Sequence, residues 1–116
     1  MTPVNSMDYS GKDVVLDVIR HEATDFFNIV DDPKNWNVQT RCTEWEVRDM
    51  VGHMIDVAEG YLSRWESARK GEERNTAGLL VMADSLNKGA QSYRSLPREE
   101  SIKRLKDDYA KMMVIF

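Results

Sequence analysis

The sequence predicts an all-α protein, a bundle of short up-and-down helices. Three observations carry that reading. Four segments repeat apolar residues at helical spacing, no stretch alternates as a strand would, and the connections hold helix start and stop signals. The first helix is expected over residues 11–30, where Val15, Ile19, Phe26 and Val30 share one face. Ser10 followed by Asp13 is a weak capping box at its start, and Asp31-Asp32-Pro33 stops it, because proline disfavours helical geometry in the residue before it. A connection of roughly a dozen residues follows, long for a compact domain, and holds Trp36.

The second helix has the clearest start signal. Thr43-Glu44-Trp45-Glu46 reads as a T-x-x-E capping box, in which hydroxyl and carboxylate each satisfy an orphaned backbone N–H. Val47, Met50, Val51, Met54, Ala58, Tyr61, Leu62 and Trp65 then form an apolar stripe. Gly52 and Gly60 interrupt it, each at a cost of roughly 1 kcal/mol of propensity, which points to close packing or a ligand at the backbone. Residues 67–78 are polar and glycine-punctuated and read as a surface loop. A third helix is expected over residues 79–93, with Leu79, Met82, Ala83, Leu86, Ala90 and Tyr93 on one face. Pro97 then opens a fourth, with Ile102, Leu105, Tyr109, Met112 and Phe116 stepping by three and four. The chain ends on Met112-Met113-Val114-Ile115-Phe116 without a glycine cap, a basic last turn or a polar tail, so the bundle reads as cut short.

With 116 residues the chain has the length of one domain, taken as 1–116, and needs no staples to bury a core. A net charge of -4 argues against a nucleic-acid partner, which would call for a basic footprint. No apolar run approaches the roughly 20 residues of a membrane span, and the N-terminus lacks the basic-then-apolar order of a secretory signal. One cysteine, Cys42, excludes an internal disulfide framework and suits a reducing cytoplasm.

His53 is the first candidate for chemistry. It lies ~60° of helical rotation from Met50, at the edge of the apolar stripe. Asp49 and Asp56 flank it at helical spacing, and either can accept a hydrogen bond from one ring nitrogen and leave the other for a metal or a proton. From spacing alone, a lone histidine at such an edge is more often a packing residue. A zinc site needs three or four ligands. The other histidine, His21, sits on the first helix beside Glu22 and Asp25, on a face that reads as solvated. Cys42 precedes a helix N-terminus, which favours the thiolate, but on a regular helix it lies ~16 Å from His53 along the axis, too far for direct proton transfer. It reads as a small residue under the capping turn. Trp36, Trp45 and Trp65 read as core and rim packing before an aromatic pocket. No phosphate-binding loop, dinucleotide fingerprint or paired-cysteine motif occurs.

The segment from Trp36 to His53, WNVQTRCTEWEVRDMVGH, resembles the signature of the mycothiol-dependent maleylpyruvate isomerase family, a branch of the DinB-like metalloenzyme fold. The pattern T-x-C-x-x-W-x-V-x-D-x-x-x-H is met by Thr40, Cys42, Trp45, Val47, Asp49 and His53, six matches in fourteen positions at fixed spacing, which makes the signal specific. Residues 82–87, the Leu96-Pro97-Arg98 corner and Asp107-Asp108-Tyr109 also look like family sequence. The resemblance implies a four-helix bundle holding a divalent metal, zinc first among the options, with His53 as one ligand and Asp49 as a residue supporting it. A carboxylate and a second histidine four residues apart on a later helix would complete the set, and no such pair occurs in this chain.

The chemistry implied is that of a metal-bound thiolate of mycothiol, a small thiol cofactor, attacking an electrophilic small molecule in an isomerase or an S-transferase. The chain as given is then expected to hold only part of the site and to be inactive alone. Two other readings stand beside it. One is a helical bundle without catalysis that binds or regulates. The other is a homodimer in which a second copy supplies the missing helix by swapping.

Overall fold

The computed structural model describes residues 3–75 and 78–116 and is an all-α bundle, as the periodicities predict. Its helices are α1 (Lys12–Asp31), α2 (Val47–Arg69), α3 (Leu79–Ser92) and α4 (Arg98–Ile115), with single 3-10 turns at Tyr9–Gly11, Pro33–Asn35 and Tyr93–Ser95. Among the described residues there is no strand, only one antiparallel bridge between Gln39 and Glu46.

Helix α2 is the central element, packed against α3 on one side and α4 on the other. Val51 and Ile55, both fully buried, meet Val30 of α1 and Ile102 and Leu105 of α4, and Phe26, Phe27, Trp36, Val47 and Tyr93 close around them. Each such aliphatic side chain contributes about 1.5–3 kcal/mol by leaving water. Phe27 meets Tyr109 edge-on at 6.1 Å, so the C-terminal half of α1 carries its packing. Arg98 adds a polar tie there. It donates to the carbonyls of Val30 and Asp31 at the end of α1, where a cation complements the helix dipole. Lys106 reaches the Asp31 carboxylate at 3.1 Å. The radius of gyration is 16.0 Å, against about 13 Å for a compact chain of 100 residues. The helices are therefore splayed.

Several expected details move. Thr43 does not cap α2. The N-cap is Glu46, and Asp49 at the third helical position accepts the Glu46 N–H at 2.9 Å. The capping logic holds but acts three residues later, because residues 38–46 are held as a turn by the Gln39–Glu46 bridge. Ser10 does not cap α1 either; its N-cap is Gly11, without a side-chain bond. The stripe on α2 is rotated from the expected one. Ile55 lies at its centre, while Met54 and Tyr61 are exposed. At the start of α3, Leu79 and Met82 face solvent beside Leu80 and Val81, so the expected apolar face packs only towards Ala90. The loop expected over 67–78 begins later, since α2 runs to Arg69 and Ser67 is buried; Thr76 and Ala77, within that loop, lie outside the described residues. Gly71 ends α2 in the left-handed region at φ 72°.

The two glycines of α2 divide. A Cβ on Gly52 would stand 2.3 Å from the Ala90 carbonyl oxygen, so Gly52 is what lets α2 and α3 touch backbone to backbone. Around Gly60 nothing lies within 4 Å. Gly52→Ala should therefore destabilise the chain by about 1–3 kcal/mol through overpacking. Gly60→Ala should stabilise it by up to about 1 kcal/mol through helix propensity. Chemical denaturation of both variants measures this, and effects of the same sign would refute the packing assignment.

Candidate functional site

The segment before α2 is a tight polar turn. Thr40 donates through its N–H and its hydroxyl to the Trp45 carbonyl, at 3.0 and 2.6 Å, and the Cys42 N–H donates to Thr40 Oγ1 at 3.1 Å. The Gln39 amide Nε2 lies within 3.1 Å of the carbonyl oxygens of Thr40, Cys42, Thr43 and Trp45, gathering them around one donor group. The Val47 and Arg48 N–H groups, orphaned at the start of α2, donate to the carbonyls of Val38 and Trp36. This turn sets the direction of the Trp45 indole, which no local propensity determines.

Trp45 lies against His53 with ring centroids 5.0 Å apart and planes inclined by 37°. The indole Nε1 donates to Asn87 Oδ1 of α3 at 2.9 Å, and Gln91 donates to the Glu44 carbonyl at 3.2 Å, so α3 holds the turn over the histidine. His53 is half-buried, and its Nδ1 is shielded from solvent without a hydrogen-bond partner. A buried ring nitrogen left unpaired is uncommon and costs free energy, which marks this imidazole as a candidate for a further partner.

Asp49 has another engagement. It is fully buried, and Arg94, in the turn after α3, donates to it through Nε at 2.8 Å and Nη2 at 2.6 Å. Burial pushes the Asp49 carboxyl up, but the Arg94 hydrogen bonds, the Glu46 N–H and the charges of Arg94 and Arg48 outweigh it and hold the group below its ordinary value. His53 makes no hydrogen bond to Asp49. Asp56 lies against α3, where a Cβ on Gly89 would come within 2.4 Å of its carboxylate. Asp49 therefore bears on His53 through the placement of the α2 N-terminus.

Cys42 is an exposed free thiol on the turn, rather than a packed residue, and borders a cleft of about 400 Å³ with Trp45, Leu86 and Asn87. Since α2 starts only at Val47, the axial separation from His53 expected of a continuous helix does not apply. His21 is exposed and lies 3.7 Å from Asp25, on the solvated face expected of it. The three tryptophans do not form one pocket: Trp36 joins the core, Trp45 covers His53, and Trp65 packs with Tyr61 and Phe116.

A metal finds an incomplete donor set here. His53 supplies one nitrogen, whereas a catalytic zinc takes three protein ligands, and no three His, Cys, Asp or Glu side chains among the described residues are grouped to hold an ion. Arg94 and Asn87 are the site-shaping residues that sequence reasoning missed. Their partners lie more than forty residues away, and nothing in local spacing announces them.

The chain matches the family model described as mycothiol maleylpyruvate isomerase N-terminal domain over residues 16–114. No curated protein and no solved structure matches it significantly.

Arg94→Ala leaves Asp49 as a buried charge with only the Glu46 N–H and the more distant Arg48 charge opposite it, and should cost about 3 kcal/mol in chemical denaturation at neutral pH. A depressed carboxyl contributes stability that is present above its ordinary range and lost as pH falls through its folded value. The difference between parent and variant should therefore shrink below about pH 4. A loss that is independent of pH would point to lost packing instead.

Proposed function

The chain belongs to the mycothiol maleylpyruvate isomerase N-terminal domain family, and from that premise we propose that it is the thiol-handling domain of a mycothiol-dependent isomerase or S-transferase, with His53 as a metal ligand. The observation that carries the proposal is the His53 ring itself, braced by Trp45 and left with an unpaired buried nitrogen on the element where the family motif stands. A divalent metal, zinc by the softness of a thiol ligand, would supply the acidity that makes a bound thiol a thiolate near neutral pH.

The chain's own residues prepare the position. Trp45, fixed by Asn87, restricts rotation of the imidazole, and the indole covers it from water. Asp49, clamped by Arg94, fixes where α2 begins and so where His53 sits along the helix. Gly52 brings α3, and with it Asn87, within reach. The ligands that His53 lacks would come from another segment or from a second copy of the chain. The substrate class is a small electrophile, and the lone free thiol suits a reducing cytoplasm. None of the described helices is long and apolar enough to cross a membrane.

One observation favours a second reading, a bundle that binds without catalysing: the absence, among the described residues, of a three-ligand group. Metal content separates the two. Elemental analysis of chain purified without chelator should find about one zinc per chain or per dimer, and His53→Ala should find none. Equal metal in both proteins would remove His53 as a ligand, and none in either would leave the binding-module reading in place for this chain.

A further inference from the structure

Away from His53, a second polar cluster joins α2 to α4. Glu59 of α2 receives Nε and Nη2 of Arg104, each at 2.6 Å, in a bidentate pair, and the Arg104 guanidinium lies 5.4 Å from the centre of the Tyr93 ring. Asp108, one turn beyond Arg104 on α4, is only 4% exposed, and its Oδ2 is buried without a conventional donor. Neither Lys nor Arg forms an ion pair with it among the described residues. Across the seam from it, lining the same cleft, stands the Glu59 carboxyl. Two carboxyl groups can share a hydrogen bond only when one holds a proton, and the arginine fork keeps Glu59 as the ionised member. Glu59 and Asp108 line a cleft of about 380 Å³ with Leu62, Arg104, Asp107 and Lys111, which gives water a route to the pair.

We propose that Glu59 and Asp108 form a proton-sharing carboxyl latch between α2 and α4, closed while Asp108 holds its proton and loosened when the proton leaves. The groups facing Asp108 are Glu59 from α2, Tyr93 from the turn after α3, and Arg104, Asp107 and Lys111 from its own helix, with Asp56 of α2 on the far side of Tyr93 against α3. Of these, only Arg104 and Lys111 oppose a negative charge, and Arg104 is already committed to Glu59. Burial first, then the hydrogen bond and charge of Glu59, push the Asp108 carboxyl up to about 7, against the pull of Lys111 and Arg104. The Arg104 hydrogen bonds pull Glu59 the other way, outweighing its burial. Deprotonation near neutrality therefore puts two carboxylates face to face at the α2–α4 seam.

A carboxyl raised in the folded chain keeps its proton after the unfolded chain has released it. Stability then falls as pH rises from the ordinary carboxylate range to about 7 and levels above that. Glu59 acts at a different pH, its contribution being lost only on acidification. The test follows the Asp108 side-chain carboxyl carbon by NMR in the intact chain from pH 4 to 9, alongside denaturation of parent and Asp108→Asn. The expected results are a titration midpoint near 7, a drop of one unit or more in that midpoint in Glu59→Gln, and a parent that loses stability relative to Asp108→Asn between pH 5 and 7. A midpoint near 4, about the ordinary aspartate value, or one unmoved by Glu59→Gln, would overturn the latch. Should Asp108→Asn fail to fold, the titration of the parent decides alone.

Discussion

A carboxylate buried at the start of a helix is tolerable only if its charge is met, and Asp49 is met from two directions. Its own helix offers the Glu46 N–H, and Arg94 forks onto it from beyond α3. Breaking such a pair from one side strands a charge in a medium that solvates it poorly. The α2 N-terminus and the turn after α3 are thereby held in register, and most of what lies near His53 follows from that register. Gly52 then sets how near α3 comes, Asn87 is carried to the Trp45 indole, and the indole is laid on the imidazole. The chain of dependence runs from one ion pair to the orientation of one ring.

Polar groups are used the same way at the other seam of α2. Where α3 is joined by a fully paired carboxylate, α4 is joined by a pair in which one carboxyl has its cation and the other does not. The first arrangement is insensitive to pH near neutrality and the second is not. Helix α2 thus carries a permanent joint at Asp49, near His53, and a proton-dependent one at Glu59, nearly three turns further along. Loosening the second leaves the first intact, so a change at α4 need not disturb the histidine.

The fold was legible because it rests on periodicity. Helices at the expected positions, the stop at Asp32-Pro33 and the corner at Leu96-Pro97 all follow from local chemistry that acts within a turn of chain. Faces were less legible than helices. Ile55 and Asp108 occupy buried positions, while Met54, Leu79 and Met82 are exposed, because a splayed bundle covers less of each stripe than a closed one. A wheel drawn on α4 does carry a warning: Ser101, Leu105 and Asp108 share the face that also holds Ile102, so polar groups were bound to be buried there.

By itself the sequence determined the fold class and the family, since each is written in residue types at fixed local spacing. The tertiary structure alone decided what those residues touch. That Asp49 belongs to Arg94 rather than to His53, that Trp45 rather than a carboxylate braces the imidazole, and that Asp108 shares a cleft with Glu59 are all set by how separate elements pack. Their physical reason is common to all three: a buried polar group takes its partner from whatever packing brings within hydrogen-bond distance, and sequence separation places no bound on that choice.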